Sequence, residues 1–182
     1  MAQTSSAYFV GMKSSRASLQ IRPAVRDDAT EIMRVRRKAI LSKAAAHYDP
    51  AILNDWADGM DAADRIARIE RNISDPGCIV LVAEASDEIL GFAVADLSGN
   101  ELQQLYCKPN PIGHVGRTLL AALEKLAFEA VAFLVCDASL NAENFYKANG
   151  YTAECRKDHV SSGGLISNVV RMKKHRPETE AR

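Results

Sequence analysis

One stretch constrains this chain more than any other: from Glu101 to Leu120 an apolar strand runs into a loop punctuated by proline and glycine, and the loop runs into a helix. Pro109 and Pro111 stop the strand because proline brings no ladder N–H, and Gly113 and Gly116 let the loop take positive φ or let a ligand approach its backbone. Leu119, Leu123, Leu126 and Ala130 then recur at helical spacing and predict one buried face on a helix that begins near Val115 or Gly116. The first N–H groups of such a helix are unpaired and backed by the positive end of its dipole, which suits a phosphate. Many helix starts of this kind meet only water, so the loop alone does not fix a ligand. In the strand, Leu102 and Leu105 are an odd number of residues apart and cannot both face one side of a regular strand. Either an extra residue near Gln103 or Gln104 forms a β-bulge, or both faces of the strand are covered.

The rest of the chain is read around this stretch. Residues 1–18 read as a mobile N-terminal arm, residues 19–174 as one domain and residues 175–182 as a disordered tail. The arm's apolar patch, Tyr8 to Val10, is too short for a signal peptide or a membrane span. Lys plus Arg equals Asp plus Glu at 23 each, so overall charge argues for no nucleic acid and no membrane partner. The four cysteines are widely spaced and form no Cys-x-x-Cys pair, which suits a reduced, cytoplasmic protein. No spacing of His, Cys or carboxylates suggests a metal.

The predicted elements alternate. Leu19 to Arg22 is a short strand, and Asp27 and Asp28 cap a helix with Ile32, Val35, Ala39, Met33 and Ile40 on one stripe and Arg34, Arg36 and Arg37 turned to water. A short helix from Ala51 to Ala57 carries Trp56, and a third helix, capped by Asp61, buries Ile66, Ile69 and Ile73. Cys78 to Glu84 and Ile89 to Asp96 form a hairpin so apolar that both faces are covered, and the Glu101 strand completes a meander. After the long helix come a buried strand at Phe133 to Cys136, a helix from Asn141 to Asn149 stopped by Gly150, and two strands, Thr152 to His159 and Leu165 to Lys173. Phe133 to Cys136 is entered from a helix and so runs parallel to the Glu101 strand.

Two blocks resemble the GNAT acyltransferases. Leu105-Tyr106-Cys107-x-Pro109 with Gly116-Arg117-Thr118-Leu119-Leu120 resembles the family's strand 4, pyrophosphate loop and following helix, and Asp137-Ala138-Ser139-Leu140-Asn141 with Phe145-Tyr146 and Gly150-Tyr151 resembles its strand 5 and next helix. His47-Tyr48 with Trp56 is similar to a bacterial small-molecule subgroup. The loop departs from the family pattern by a one-residue deletion, with Pro111 and His114 in place of the usual first residue and middle glycine. The resemblance implies a GNAT fold of the α/β (α+β) class: a mixed, mostly antiparallel sheet of six to seven strands with flanking helices, splayed between strands 4 and 5.

It also implies an acetyl-CoA-dependent N-acetyltransferase that acts on a small-molecule amine by direct attack in a ternary complex. A homodimer would be in keeping with the family. Acetyl-CoA, as co-substrate, would be held by Leu105, Tyr106, Cys107, Gly113, His114, Val115, Gly116, Arg117, Thr118 and Asn141, although Asn141 also fits a plain helix N-cap. The chemistry needs a proton taken from an ammonium, whose pKa is about 10, and a proton given to a departing thiolate. Tyr146 resembles the family's acid, the alternative being a packed ring with a satisfied hydroxyl. Glu101 is the nearest acid for the base, with His47, His159 and a water chain as alternatives, and Gln103 stands where relatives carry a carboxylate. Cys107 has no base predictably beside it and is not read as a nucleophile. His47, Tyr48 and Trp56, with the Ser161 to Gly164 turn, would form the acceptor pocket, or Trp56 would simply anchor its helix. The altered loop motivates another reading, a weak or inactive acyl-CoA-binding sensor.

Overall fold

The structure, a computed structural model, describes residues 18–58, 62–109, 114–161 and 164–178. Strand β1 (Gln20–Pro23) leads through a 3-10 turn at Arg26–Asp28 into α1 (Ala29–Lys43), α2 (Pro50–Asp58) and α3 (Ala62–Ser74). The meander β2 (Cys78–Ala85), β3 (Glu88–Asp96) and β4 (Glu101–Cys107) follows. Then come α4 (Val115–Ala130), β5 (Phe133–Ser139), α5 (Glu143–Ala148), β6 (Thr152–Val160) and β7 (Ile166–His175). The seven strands make one sheet in the order β1-β2-β3-β4-β5-β7-β6. Every neighbouring pair is antiparallel except β4 and β5, which run parallel.

Helices cover both faces of the central strands, which is why β2 and β3 are apolar without alternation. Leu81, Ala83 and Ala85 of β2 face a core shared with Leu119, Leu120 and Leu123 of α4, while Val80 and Val82 face a second core shared with Ile32 and Val35 of α1 and Ile69 of α3. Ser86 and Asp87, both at positive φ, make the two-residue turn between β2 and β3. Gly91 on β3 is required by close approach: a Cβ there would lie 2.9 Å from the Tyr106 carbonyl oxygen and 2.9 Å from Cys107 Sγ.

The bulge in β4 is where the broken alternation of leucines predicts it. Ala95 pairs with Leu102 and Val94 with Gln104, so Gln103 is the extra residue. With that residue looped out, Leu102 and Leu105 both pack on the α4 side.

Several local expectations are corrected. The buried face of α4 is Val115, Leu119, Leu120, Leu123, Ala127 and Phe128; Leu126 and Ala130 are exposed, because the true stripe turns through Ala127. Asp28 makes no side-chain cap on α1. Its carboxylate accepts instead from the Val25 N–H at 2.8 Å and from Arg22 at 2.7 and 3.0 Å, tying β1 to the helix start. Arg36 is only partly exposed and makes specific contacts, described below. Asn141 is not the N-cap of α5; Ala142 holds that position. Gly150, at φ +88°, does end α5 as a left-handed cap, its N–H bonded to the Lys147 carbonyl at 3.1 Å. β7 runs through His175, and the Arg176 N–H bonds the Ala132 carbonyl at 2.8 Å, so the last strand extends into the segment read as tail. Residues 1–17 of the arm, the Asp61 cap, Pro111 and Gly113 of the loop, and residues 179–182 lie outside the described residues. Among the described residues no helix is long and apolar enough to cross a membrane.

Candidate active site

The centre of the molecule is a gap in its own sheet. β4 and β5 share one pairing, Glu101 with Val135, reinforced by the Val135 N–H on the Asn100 carbonyl at 2.9 Å, and beyond it the ladder stops. β4 continues to pair with β3, and the Lys108 N–H bonds the Leu90 carbonyl of β3 at 2.8 Å. Strand alternation therefore sends the N–H groups of Leu105 and Cys107 the other way, toward the gap. That edge is free to take an extended partner.

α4 begins just past the mouth of the gap. His114 is its N-cap without a side-chain cap bond, and no acidic residue stands in the first turn. The N–H groups of Val115 to Arg117 precede the first bond of the helix, made by the Thr118 N–H to the His114 carbonyl at 2.9 Å. Arg117 is exposed and has no acid partner among the described residues. Lys108, by contrast, is buried and committed, with Nζ 2.8 Å from Glu88 and 3.1 Å from Glu31.

Tyr146 reaches into the interior from α5. Its ring meets Phe145 and Tyr151 edge-on at 5.2 and 5.3 Å. Burial, with smaller contributions from Cys136, Tyr106, Cys107 and Glu124, holds its phenol well above the ordinary tyrosine range, so it is neutral and carries its proton at physiological pH. None of the hydrogen bonds among the described residues ends on its hydroxyl. Asn141, in the turn after β5, also presents a polar atom without a partner among the described residues, a buried Oδ1.

The other predicted residues fall in different settings. Glu101 sits at the closed end of the gap, 3.5 Å from Arg171. Arg171 in turn holds Asp137 at 3.0 Å, and Lys157 holds Asp137 at 2.7 Å, so one chain of charges crosses β4, β7, β5 and β6. Cys107 is buried, and burial pushes its thiol up to about 11, which removes the thiolate a nucleophile needs. His47 is exposed on the turn before α2. Tyr48 is buried and its hydroxyl is doubly used, accepting from the Leu140 N–H and donating to the Asn168 carbonyl, each at 2.8 Å. Trp56 lies 4.6 Å from the Tyr48 ring and 6.4 Å from His159, ring centre to ring centre, with its Nε1 buried and unpartnered. Ser161 of the β6–β7 turn hydrogen-bonds Asp55 of α2, joining the hairpin to that helix.

Sequence reasoning missed Arg36. Its guanidinium lies 5.6 Å from the centre of the Tyr106 ring and donates to the Trp56 carbonyl at 2.7 Å. One arginine in a group read as a solvated helix face gives no signal for either contact. Two open surface hollows lie away from the gap, one of about 460 Å³ beside Arg26, Glu70 and Arg71 and one of about 980 Å³ beside Phe128, Glu129 and Arg176. None of the predicted site residues lines either hollow.

A sheet parted between a parallel pair of strands, with a helix N-terminus at the mouth of the gap, is an arrangement shared with known proteins. The model of the acetyltransferase (GNAT) family matches residues 41–151, more than half of the chain. The chain belongs to the GNAT acetyltransferase family. A GCN5-related N-acetyltransferase from Rhodopseudomonas palustris is 30% identical, with 87% of this chain and 97% of that one covered and a TM-score of 0.76. The PaiA N-acetyltransferase of Thermoplasma acidophilum, solved with coenzyme A, is 23% identical over 87% of this chain and 99% of that one, with a TM-score of 0.70. YncA, a putative acetyltransferase of Salmonella typhimurium solved with acetyl-CoA, is 23% identical over 90% and 96% of the two chains, with a TM-score of 0.63. No curated protein matches the chain.

Proposed function

We propose that this protein is an acetyl-CoA-dependent N-acetyltransferase that acetylates the amine of a small-molecule acceptor, with both substrates held together in the β4–β5 gap. The observation that carries the reading is Tyr146, a buried, neutral phenol beside a gap that opens at an uncapped helix start. Acetyl-CoA supplies the activated thioester. The residues present fit it. The first N–H groups of α4 and the side chain of Arg117 suit a diphosphate, and the free N–H groups of Leu105 and Cys107 suit the amide-bearing arm. Asn141 has a buried acceptor that an N–H of the arm would satisfy.

In the transfer, the amine nitrogen bonds the acetyl carbon and the carbon–sulfur bond breaks. The nitrogen sheds two protons: one goes to water as the ammonium becomes the attacking amine, and the other leaves as the tetrahedral intermediate collapses, when Tyr146 gives its own proton to the departing sulfur and regains one through water. The bulge at Gln103 interrupts the β3–β4 register, and a backbone N–H freed there would meet the charge that develops on the carbonyl oxygen. Glu101, tied to Arg171, serves as a strut at the closed end of the gap. The unpaired cysteines fit a reducing, cytoplasmic setting.

Calorimetry with acetyl-CoA, with ATP as control, tests the binding half; micromolar affinity corresponds to roughly −8 kcal/mol. Thiol release with a panel of amines tests the chemistry. Tyr146→Phe is expected to lower kcat about a hundredfold while leaving acetyl-CoA affinity unchanged. Binding without turnover on any amine would favour the sensor reading, and no binding at all would remove both.

A further inference from the structure

The acetyltransferase reading leaves the acceptor unnamed, and the face of the sheet opposite α4 carries a charge pattern that bears on it. Tyr106 of β4 turns to this face. Its ring stacks on Phe92 at 5.7 Å, and on another side the Arg36 guanidinium lies 5.6 Å from its centre. Arg36 comes from α1 and gives one N–H to the Trp56 carbonyl near the end of α2. It touches no carboxylate among the described residues. A second guanidinium, Arg68, comes from α3, next to Ile69, which packs in the same core cluster as Tyr106. Arg68 has no acid partner among the described residues either. Its pKa is depressed by burial and by the positive charges of Arg36 and Arg71, which places these cations in one another's field.

Other arginines of this chain are matched to acids. Arg22 holds Asp28 and Glu84, Arg26 holds Glu70, and Arg171 holds Asp137. Arg36, fixed over the Tyr106 ring, and the exposed Arg68 of the neighbouring α3 instead meet no acid among the described residues and feel each other's positive charge, an imbalance that an anion would relieve. Gln104, two residues before Tyr106 and on the same face of β4, holds a buried Oε1 with no partner among the described residues, an acceptor suited to an amine N–H.

Resting on the acetyltransferase reading, we propose that the acceptor is a small primary amine that also bears a carboxylate, its carboxylate held by Arg36 and Arg68 and its amine directed toward Gln104 and Tyr146. A guanidinium matches a carboxylate with paired N–H groups, so each arginine contributes charge and orientation together. The same two cations repel a polyamine, and Arg36 already occupies a side of the Tyr106 ring where an ammonium would otherwise settle.

The test compares common L-α-amino acids, the same amino acids as their carboxamides, and spermidine, by thiol release from acetyl-CoA with the full chain. The proposal expects at least one amino acid to be acetylated with a kcat/KM about tenfold or more above its amide, and spermidine to be a poor acceptor. Arg68→Gln should raise KM for that amino acid about tenfold, leave kcat nearly unchanged and erase the preference over the amide. Equal rates for acid and amide, or preference for spermidine, overturns it. A second readout needs no turnover: fluorescence of Trp56, the one tryptophan, titrated with the same compounds in saturating coenzyme A. A response to the amides equal to that of the acids, or no response to any amino acid, overturns the proposal as well. Failure of the transferase reading looks different, since acetyl-CoA would then give no calorimetric signal.

Discussion

At the scale of single residues, the site separates side chains with spent hydrogen bonds from those with bonds to give. Tyr48 has used its hydroxyl on Leu140 and Asn168, positions far away in sequence, and is thereby a bolt across the open end of β5 and β7. Asn141 and Gln104 hold buried polar atoms without a partner among the described residues, which is the pattern of groups waiting for a ligand. Glu101 keeps a single ion pair among the described residues, with Arg171 at 3.5 Å, and we read it as a strut rather than as the base. Glu101→Gln is expected to change kcat/KM by less than about tenfold, a small effect for a residue at the catalytic centre, whereas loss of a true general base costs about a hundredfold or more. Steady-state rates over a range of pH decide between the two. The buried place of Tyr146 on α5 was legible from sequence because its block is local and compact. Arg36 was not, because its partners Tyr106 and Trp56 come from other elements, and period alone assigns an arginine on a polar stripe to solvent. Asn141 was half legible: its place before a helix pointed to a cap, and only the backbone geometry shows that Ala142 takes that role.

At the scale of elements, the hydrophobic period located the strands and helices, and one irregularity in it located the bulge. What period could not supply was the partner of Asp28. The carboxylate joins β1 to α1 by accepting from Arg22 and from the Val25 N–H, and these bonds, led by the Arg22 contact, outweigh burial and lower its pKa. A lowered folded pKa means that Asp28 contributes its full stability above the ordinary carboxylate range and loses it as pH falls through the depressed folded value. Asp28→Asn is therefore expected to destabilise the fold by about 1–3 kcal/mol at neutral pH. The difference from the wild type should shrink as the medium is acidified below about pH 4. Urea unfolding at several pH values measures it, and a difference that is independent of pH would show that the carboxylate's charge is not what ties the two elements.

At the scale of the whole molecule, the chain is an unbroken sheet with helices on both sides, except along one line. Its edge strand β6 is exposed along its whole length, and Glu154, Arg156, Lys157 and Asp158 place charges on an edge that would otherwise invite pairing with another sheet. A ligand that fills the gap acts on all of the fold at once. Acetyl-CoA at a hundredfold excess over its dissociation constant is expected to stabilise the protein by about 2.7 kcal/mol, read as a rise in Tm, while ATP is expected to leave Tm unchanged. The element order and the parallel fourth and fifth strands were legible in the sequence because they rest on local period and on chain-crossing rules, whereas the splay between them came only with the family resemblance. The charges around Tyr106 were not, because they meet only when α1 and α3 are laid on the same side of β4.

The single rung between Glu101 and Val135 also sets a measure of length. A wedge-shaped slot whose narrow end is pinned by that rung, and braced by Arg171, has a fixed depth, counted in residues of β4 at about 3.4 Å each. Anything anchored at the start of α4 and threaded along the strand meets the floor at the same point each time. On the acetyltransferase reading, the slot is a ruler: acyl groups longer than its remaining depth must bend out toward Gln104 and Tyr106, into the space the acceptor needs.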